Sequence, residues 1–407
     1  MRLHLTPPAD KHIKSTIKVT GSKSESNRIL LLQALYPNVR IENSSNSDDA
    51  QVMEKGLKMD KGIVDIHHAG TAMGFLIASQ EGKEVLLTGS QRMTERPIKV
   101  LVDALLSLGA QISYENNEGY PPIKIIGKKL TKSKVSLPAN ISSQYISALL
   151  LIAPSLENGI ELELVGEITS VPYIKMTLAL LTQMGIENSF DKNNIKVSPK
   201  KAVENNTLVV ESDWSSASYF YSIAALSELG SEIKLSSYKE NSLQGDSVLA
   251  EIYKDFGVAT LFEENKIVLK KKSNSKVEII ECDLSNAPDI AQTIAVTCFG
   301  LGIGCHLTGL HTLKIKETDR LEALDTELSK LGAVISVTDK TLTLDPSDKI
   351  NEDISIDTYN DHRMAMAFAP LAFKTSLFIN DAEVVSKSYP DFWNDMKLVK
   401  IGVKELI

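Results

Sequence analysis

The chain has 407 residues, of which 43% are hydrophobic and 24% are charged, and its formal net charge is −8. This length allows about two or three domains with cores of their own, and the composition excludes a disordered or fibrous protein. The acidic balance excludes general nucleic-acid binding, because a phosphate backbone requires a broad basic surface.

No apolar stretch approaches the roughly 18 residues of a membrane-spanning helix, and the N-terminus lacks the basic-then-apolar pattern of a signal peptide. We therefore expect a cytoplasmic protein that does not associate with membranes. The cysteines, Cys282, Cys298 and Cys305, are too few for a disulfide framework, and none has a zinc ligand at the usual spacing. Reduced structural thiols are the prediction, and no bound metal is expected.

Six apolar helical patterns recur along the chain, each opened by a residue type that often begins a helix. In chain order the openings are Ser24, Gly70, Ser142, Ser215, Pro288 and Asp361. From the second opening onward they lie about 73 residues apart, which indicates an internal repeat. A second helix is predicted in each repeat, beginning near Asp48, Arg96, Pro172, Gly245, Thr318 and Pro390.

Strands are predicted between and after these helices. β-like runs lie between the two helices of each repeat, at 39–41, 85–88, 162–165, 233–235, 305–308 and 376–379. Second helices are predicted to end at glycines with positive φ, namely Gly109, Gly185, Gly257, Gly332 and Gly402. Further strands are centred on Ile195, Ile267 and Leu342. Each repeat therefore contains a helix, a strand, a helix and two strands, in that order.

The sixth repeat ends before its closing strands could form, whereas residues 12–19 supply strand material that belongs to no repeat. The simplest arrangement lets the N-terminus complete the C-terminal half. We therefore predict one globe from residues 1–20 plus 212–407 and another from residues 21–211, each with three repeats.

Several segments place cations at helix openings or loops of these repeats, where unpaired N–H groups and the helix dipole already attract anions. The segments are 21–28, 92–97, 314–320 and 360–363, and with residue 387 they supply Lys23, Arg28, Arg96, Lys316, Arg320, Arg363 and Lys387. A small molecule with several phosphates or carboxylates would offset this excess of charge. Taken singly, each segment also fits a capped helix or a solvated run of charges.

Two carboxylates, Asp289 and Glu317, are the candidates for proton transfer. Neighbouring cations would keep them ionised or control their titration, as a general acid or base requires. Either side chain could instead cap a helix, and Asp289 directly follows a proline at a helix opening.

These motifs resemble those of the 5-enolpyruvylshikimate-3-phosphate synthase family over essentially the whole chain. In the first half they are GSKSESNR at 21–28, AGTAM at 69–73, RMTERPI at 92–98, SSQ at 142–144 and VPYI at 171–174. In the second half they are DWSSASYF at 213–220, QGD at 244–246, PDIAQTIA at 288–295, KETDR at 316–320, YNDHRMAM at 359–366 and KSYPDF at 387–392.

The resemblance implies an α/β fold of two globular domains, each of three repeated βαβαββ units. This is the inside-out α/β barrel of the enolpyruvyl transferases, with the active site in the interdomain cleft. The implied reaction transfers the enolpyruvyl group of phosphoenolpyruvate to the 5-hydroxyl of shikimate 3-phosphate and releases phosphate. That step belongs to the shikimate pathway, which leads to chorismate and the aromatic amino acids. We expect no metal or organic cofactor, and a monomer.

The resemblance also implies roles for individual residues. Those implied to hold shikimate 3-phosphate are Ser24, Arg28, Ser142, Ser143, Ser170 and Lys316, with Tyr173 beside the ring. Those implied to hold phosphoenolpyruvate are Gly70, Arg96, Arg320, Arg363 and Lys387, while Lys23 and Gln144 touch both substrates. Asp289 is implied to contact the substrate and handle the hydroxyl proton, Glu317 to exchange protons with the methyl carbon, and Lys23 to assist at the phosphate.

At some positions the chain departs from the family's usual residues. His68 stands where asparagine is usual, Gly74 where arginine is usual, Phe75 where proline is common and Thr312 where asparagine is frequent. Two alternatives therefore stay open. One is the related transferase that modifies UDP-N-acetylglucosamine, although no cysteine precedes Cys282 to fill its mobile loop. The other is a non-catalytic protein that only binds shikimate 3-phosphate.

Overall fold

The computed structural model describes residues 1–78, 82–139, 142–166, 168 and 171–406. The chain divides into two compact units: unit 1 contains Met1–Thr20 and Glu211–Ile407, and unit 2 contains Gly21–Val210. Within the described ranges, no helix has both the length and the apolar character needed to cross a bilayer.

The chain begins with two strands of unit 1, β1 (Arg2–Thr6) and β2 (Lys14–Ile17). The strands of unit 2 are β3 (Val39–Glu42), β4 (Lys61–Asp65), β5 (Glu84–Thr88), β6 (Gln111–Tyr114), β7 (Ile123–Ile126), β8 (Lys134–Pro138), β9 (Ile160–Val165), β10 (Asn188–Asp191), β11 (Asn194–Val197) and β12 (Asn206–Val209). Its helices are α1 (Lys23–Leu35), α2 (Asp48–Lys58), α3 (Gly70–Ala78), α4 (Gln91–Thr94), α5 (Lys99–Leu108), α6 (Ser143–Ile152) and α7 (Val171–Gln183).

The remaining elements belong to unit 1. Its strands continue as β13 (Glu232–Ser236), β14 (Val258–Glu263), β15 (Lys266–Lys271), β16 (Ile279–Asp283), β17 (Gly304–Thr308), β18 (Ile335–Val337), β19 (Leu342–Leu344), β20 (Ile354–Ile356), β21 (Leu377–Ile379) and β22 (Gly402–Leu406). Its helices are α8 (Trp214–Leu226), α9 (Leu249–Asp255), α10 (Ala291–Leu301), α11 (Arg320–Lys330), α12 (His362–Phe368) and α13 (Phe392–Leu398).

The four-stranded sheets share one topology. In the order β4-β5-β7-β6, the first pair is parallel and the other two pairs are antiparallel. The sheets β8-β9-β11-β10 and β16-β17-β19-β18 repeat this pattern. In chain order, one helical segment joins the first strand of each sheet to the second, as between β4 and β5. Another joins the second strand to the third, as between β5 and β6. The predicted βαβαββ repeat is therefore confirmed.

The N-terminal strands complete two sheets of unit 1. β2 pairs in parallel with β13, and β1 pairs with both β21 and β22 in the order β20-β21-β1-β22. The strand β22 was not expected, because the sixth repeat was predicted to stop before any closing strand. In unit 2, β3 pairs in parallel with β12, which lies just before the chain enters unit 1.

Most of the glycines predicted to end a second helix have positive φ. The values are 108° at Gly109, 70° at Gly185, 77° at Gly257 and 98° at Gly332. The prediction for Gly402 is wrong. That residue begins β22, where a Cβ would clash with Thr6 on the neighbouring strand. The left-handed residue after α13 is instead Lys400, with φ 68°.

Helix packing in unit 1 brings its predicted openings side by side. Every residue of α8 is buried, so this helix lies at the centre of the apolar core. Ser218 on α8 contacts Thr293 on α10 through their hydroxyls at 3.0 Å. At the same end of the core, Nη2 of Arg363 on α12 donates to Oγ of Ser215 on α8 at 3.2 Å. Three repeats thus direct their helix openings toward one region of unit 1.

Candidate active site

A network of charged side chains lies at the adjoining helix openings of unit 1, with Arg320 at its centre. The side chain of Arg320 is 2% exposed, and its Nε donates to Oδ2 of Asp361 at 2.6 Å. Nη1 donates to Oδ1 of Asp289 and Nη2 to Oε2 of Glu317, both at 2.9 Å. Burial lowers the pKa of Arg320, but the three carboxylates outweigh burial and raise it, Asp361 most strongly. The guanidinium therefore stays charged and fixes all three carboxylates.

Asp289 is held by several cations. Its Oδ1 lies 3.4 Å from Nζ of Lys316, and its Oδ2 lies 3.3 Å from Nη2 of Arg363. The residue belongs to the 3-10 turn Pro288–Ile290, which lies directly before α10. The geometry thus places the Asp289 carboxylate among the cations of Lys316, Arg320 and Arg363.

Residues 360–363 connect the remaining cations to this network. Nζ of Lys387 donates to the carbonyl oxygen of Asn360 at 2.7 Å and to its Oδ1 at 2.8 Å. Asp361 is the N-cap of α12, and its Oδ1 accepts from the backbone N–H of Arg363 at 2.8 Å. One turn of chain therefore sets the positions of Lys387, Arg363 and, through Asp361, Arg320.

Some members of this network were not predicted from the sequence. Asp361 was expected only at a helix opening, whereas it is a direct partner of Arg320. Asp246 was noted only within a motif, whereas it accepts a hydrogen bond from the hydroxyl of Ser215, which in turn contacts Arg363. The available signal for Asp361 was a carboxylate two residues before an arginine at a helix opening.

Asp246 is a buried carboxylate whose pKa is raised to about 7, first by burial and next by the nearby charge of Asp289. The folded state therefore binds this proton more tightly than the unfolded state. The group imposes no penalty below its ordinary pKa of 3.8, and its ionisation destabilises the fold progressively as the pH rises toward 7.

Replacing Asp246 by asparagine should flatten this dependence. Between about pH 4 and pH 7, the unmodified chain should lose on the order of 4 kcal/mol more unfolding free energy than Asp246→Asn. Urea unfolding at closely spaced pH values measures the difference. The exposed Asp339→Asn, which removes a surface partner of Lys314, serves as control and should keep the slope of the unmodified chain. Equal slopes for Asp246→Asn and the unmodified chain would contradict the prediction.

Arg28 is a buried cation of unit 2, with 2% of the residue exposed. Its Nε donates to Oγ1 of Thr177 at 2.8 Å and its Nη1 to the carbonyl oxygen of Ser24 at 2.7 Å. Its Nη2 donates to Oγ of Ser147 at 3.0 Å and to the carbonyl oxygen of Tyr173 at 3.5 Å. These acceptors are neutral, and burial lowers the pKa of Arg28 to about 10. A buried cation held by neutral oxygens attracts an anion strongly.

The opening of α3 accommodates the guanidinium of Arg96. A Cβ on Gly70 would lie 2.6 Å from Nη1 of Arg96, so glycine leaves room for that side chain. Nearby, Nε2 of Gln144 donates to Oγ1 of Thr71 at 3.1 Å, and Ser142 caps α6 by accepting from the N–H of Gln144 at 3.3 Å. A cation against the positive end of a helix is unfavourable unless an anion offsets both.

Lys23 and Ser143, which were also predicted for unit 2, lie at the N-terminal ends of helices. Nζ of Lys23, in the first turn of α1, is 3.4 Å from Oδ2 of Asp49. Ser143 is the first residue of α6 and is buried. Ser170 lies outside the described residues.

The structure shows what surrounds the departures from the family pattern. Phe75 is fully buried, and Cζ of Arg28 lies 5.5 Å from its ring centre, which gives the guanidinium a cation–π contact. A Cβ on Gly74 would meet Tyr145 at 3.6 Å, an ordinary contact. Oγ1 of Thr312 is buried and has no hydrogen-bond partner among the described residues.

Comparisons with known proteins agree with this architecture. A family model described as EPSP synthase (3-phosphoshikimate 1-carboxyvinyltransferase) matches residues 54–396. A 3-phosphoshikimate 1-carboxyvinyltransferase from Bacteroides fragilis is 45% identical, with 99% of each chain covered. One from Haemophilus influenzae is 36% identical, with 95% of this chain and 96% of the relative covered. The solved structure of EPSP synthase from Acinetobacter baumannii shares the fold, with a TM-score of 0.80 and 20% identity over 100% of both chains.

The fold and these matches define a transferase of the carboxyvinyl class. The chain belongs to the EPSP synthase family, because the family model spans most of its length and the relatives match nearly all of it. The resemblance recognised in the motifs is thereby confirmed, together with the fold class that it implied.

Proposed function

We propose that this chain transfers the enolpyruvyl group of phosphoenolpyruvate to the 5-hydroxyl of shikimate 3-phosphate and releases phosphate. The observation that carries the proposal is the network around Arg320, which holds two carboxylates, Asp289 and Glu317, beside two further cations. Such a network provides proton acceptors and anion-binding groups within one site. This combination suits a reaction between two phosphorylated substrates.

The cations are assigned to the two substrates as the resemblance implies. Arg320, Arg363 and Lys387 of unit 1 bind phosphoenolpyruvate, while Lys316 binds shikimate 3-phosphate. In unit 2 the residues for shikimate 3-phosphate are Ser24, Arg28, Ser142, Ser143, Ser170 and Tyr173, those for phosphoenolpyruvate are Gly70 and Arg96, and those for both are Lys23 and Gln144. The neutral hydrogen-bond acceptors of Arg28 support its assignment to a phosphate.

The proposed chemistry has two stages. In the first, Asp289 takes the proton of the 5-hydroxyl as that oxygen bonds to C2 of phosphoenolpyruvate, and Glu317 gives a proton to the methylene carbon. In the second, the bond from C2 to the phosphate oxygen breaks, and the methyl carbon returns a proton to Glu317. The departing phosphate, assisted by Lys23, takes up the proton that Asp289 held, so both carboxyl groups return to their starting states. Each proton transfer is worth roughly 10²- to 10⁴-fold in rate.

The proposal includes the cytoplasm as the site of action and a monomeric state. Both substrates carry several charges and cross membranes poorly, so an enzyme that uses them works where they are made. All the residues assigned above come from one chain. No step changes the oxidation state of the substrates overall, so the reaction requires no redox cofactor.

Inorganic phosphate release tests the proposal. Phosphate should appear only when phosphoenolpyruvate and shikimate 3-phosphate are both present, and omission of either is the control. A rise in Tm with shikimate 3-phosphate, without phosphate release, would instead support the non-catalytic binding protein. Release with UDP-N-acetylglucosamine in place of shikimate 3-phosphate would support the related transferase.

A further inference from the structure

Two consecutive residues beside the charged network of unit 1 have left-handed backbone conformations. Tyr359 has φ 51° and Asn360 has φ 57°. A residue with a Cβ adopts this conformation at a cost, so two in succession persist where surrounding contacts fix them. The contacts of this turn therefore identify the side chains that it positions and those that stabilise it.

On one side the turn holds Lys387. The carbonyl oxygen and Oδ1 of Asn360 both accept from Nζ of Lys387, at 2.7 Å and 2.8 Å. Because both acceptors belong to one left-handed residue, a change in its φ would move the carbonyl away from the ammonium group. Lys387 is 8% exposed, so its position depends on these neighbours more than that of a solvated lysine does.

On the other side the turn is held by Glu327, a fully buried residue of α11. Oε1 of Glu327 accepts from the hydroxyl of Tyr359 at 2.6 Å, and Oε2 accepts from the backbone N–H of Asp357 at 3.2 Å. Nζ of Lys330 lies 2.8 Å and 2.9 Å from the two oxygens and offsets their charge. A carboxylate withdrawn from water needs such a set of partners, and here one of them is Tyr359 in the strained turn and another is Asp357 just before it.

We propose that Glu327 is a positioning residue for Lys387. Glu327 fixes Tyr359 and Asp357, these residues hold Asn360 in the left-handed conformation, and Asn360 fixes the ammonium group of Lys387. Glu327 itself contacts no substrate in this arrangement. The consequence for catalysis rests on the proposed function, in which Lys387 binds phosphoenolpyruvate, whereas the consequence for the position of Lys387 does not.

Chemical labelling tests the positional part without any substrate. Tyr359→Phe removes one hydroxyl from a residue that is 38% exposed, so the fold should persist. Trace acetylation with acetic anhydride, followed by peptide mass spectrometry, should show Lys387 reacting about fivefold faster in Tyr359→Phe, because its hydrogen-bonded position is lost. The matched control is Tyr221→Phe, which removes a 2.7 Å hydroxyl contact with Thr260 elsewhere in unit 1 and should leave the labelling of Lys387 unchanged.

Kinetics test the catalytic part. Tyr359→Phe and Glu327→Gln should each raise KM for phosphoenolpyruvate about tenfold, and leave KM for shikimate 3-phosphate and kcat within about twofold. The double variant should be no worse than the worse single variant, since both act through one chain of contacts. If Glu327→Gln does not fold, Tyr359→Phe alone decides.

Unchanged labelling together with an unchanged KM in Tyr359→Phe would overturn the proposal. Equal effects of Tyr221→Phe would overturn it too, because general loosening of unit 1 would then explain the data. If the unmodified chain releases no phosphate, the proposed function is wrong. The role of Glu327 in positioning Lys387 is then decided by the labelling experiment, which needs no substrate.

Discussion

Asp289→Asn and Glu317→Gln are each expected to lower kcat by about 10²- to 10⁴-fold, the usual loss when a general acid or base is removed. Both substitutions keep the shape of the side chain and remove its capacity to take up a proton. Asp289 has 12% of its side chain exposed and Glu317 has 25%, so neither is sealed from a substrate. Large rate losses with intact folds would place both carboxylates in the chemical step.

Asp289→Asn should lower kcat strongly but change KM for phosphoenolpyruvate only slightly. In the unmodified chain the carboxylate of Asp289 offsets charge on Lys316, Arg320 and Arg363. The asparagine variant leaves that positive charge in excess, which favours an anionic ligand. KM for phosphoenolpyruvate should therefore rise by no more than about threefold while kcat collapses.

Initial rates of phosphate release measure these effects, with Tm recorded for every variant. The matched controls are Asp339→Asn, an exposed aspartate paired with Lys314, and Glu322→Gln, an exposed glutamate on α11. Both controls should retain kcat within about twofold, because exposed charges contribute little. A kcat for Asp289→Asn or Glu317→Gln within about threefold of the unmodified value would remove that residue from the proton-transfer role.

The repeat architecture was predictable because it depends on periodicity. From the second opening onward, helix openings recur at nearly constant spacing. A glycine that ends a helix also signals a left-handed backbone conformation by its residue type. The exceptions had long-range causes. Gly402 begins a strand because β1, almost 400 residues away in sequence, lies against it and leaves no room for a Cβ. Local pattern contains no information about that neighbour.

The charged site was predictable only in part, for a similar reason. Cations at helix openings stand out in a sequence, so Arg320 and Arg363 were identified directly. Their partners did not stand out, because an aspartate at a helix opening has an ordinary role as a cap. Asp361 performs that role and also binds Arg320, and only the packing of α11 against α12 shows the second contact. The left-handed φ of Tyr359 is likewise not visible in the residue type, since asparagine and aspartate are the residues with a Cβ that commonly adopt it.

Replacing Arg320 by methionine is expected to lower the free energy of unfolding by about 3–5 kcal/mol, the usual cost of removing one partner from a buried ion pair. The guanidinium is 2% exposed and Asp361 is fully buried, so the substitution leaves a carboxylate without its main partner away from water. Urea unfolding at neutral pH measures the loss. The matched control is Arg2→Met, which removes an exposed arginine bonded to Ser355 and should cost about 1 kcal/mol or less.

Acidification separates this electrostatic explanation from loss of packing. If the deficit of Arg320→Met arises from uncompensated carboxylates, it should shrink relative to the unmodified chain as the pH is lowered. If it arises from lost side-chain packing, the deficit should stay constant with pH. A variant as stable as the unmodified chain but without phosphate release would contradict the structural role of Arg320 and leave it only a role with substrate. The network would then be organised by its carboxylates and α-helix caps, and not by the guanidinium at its centre.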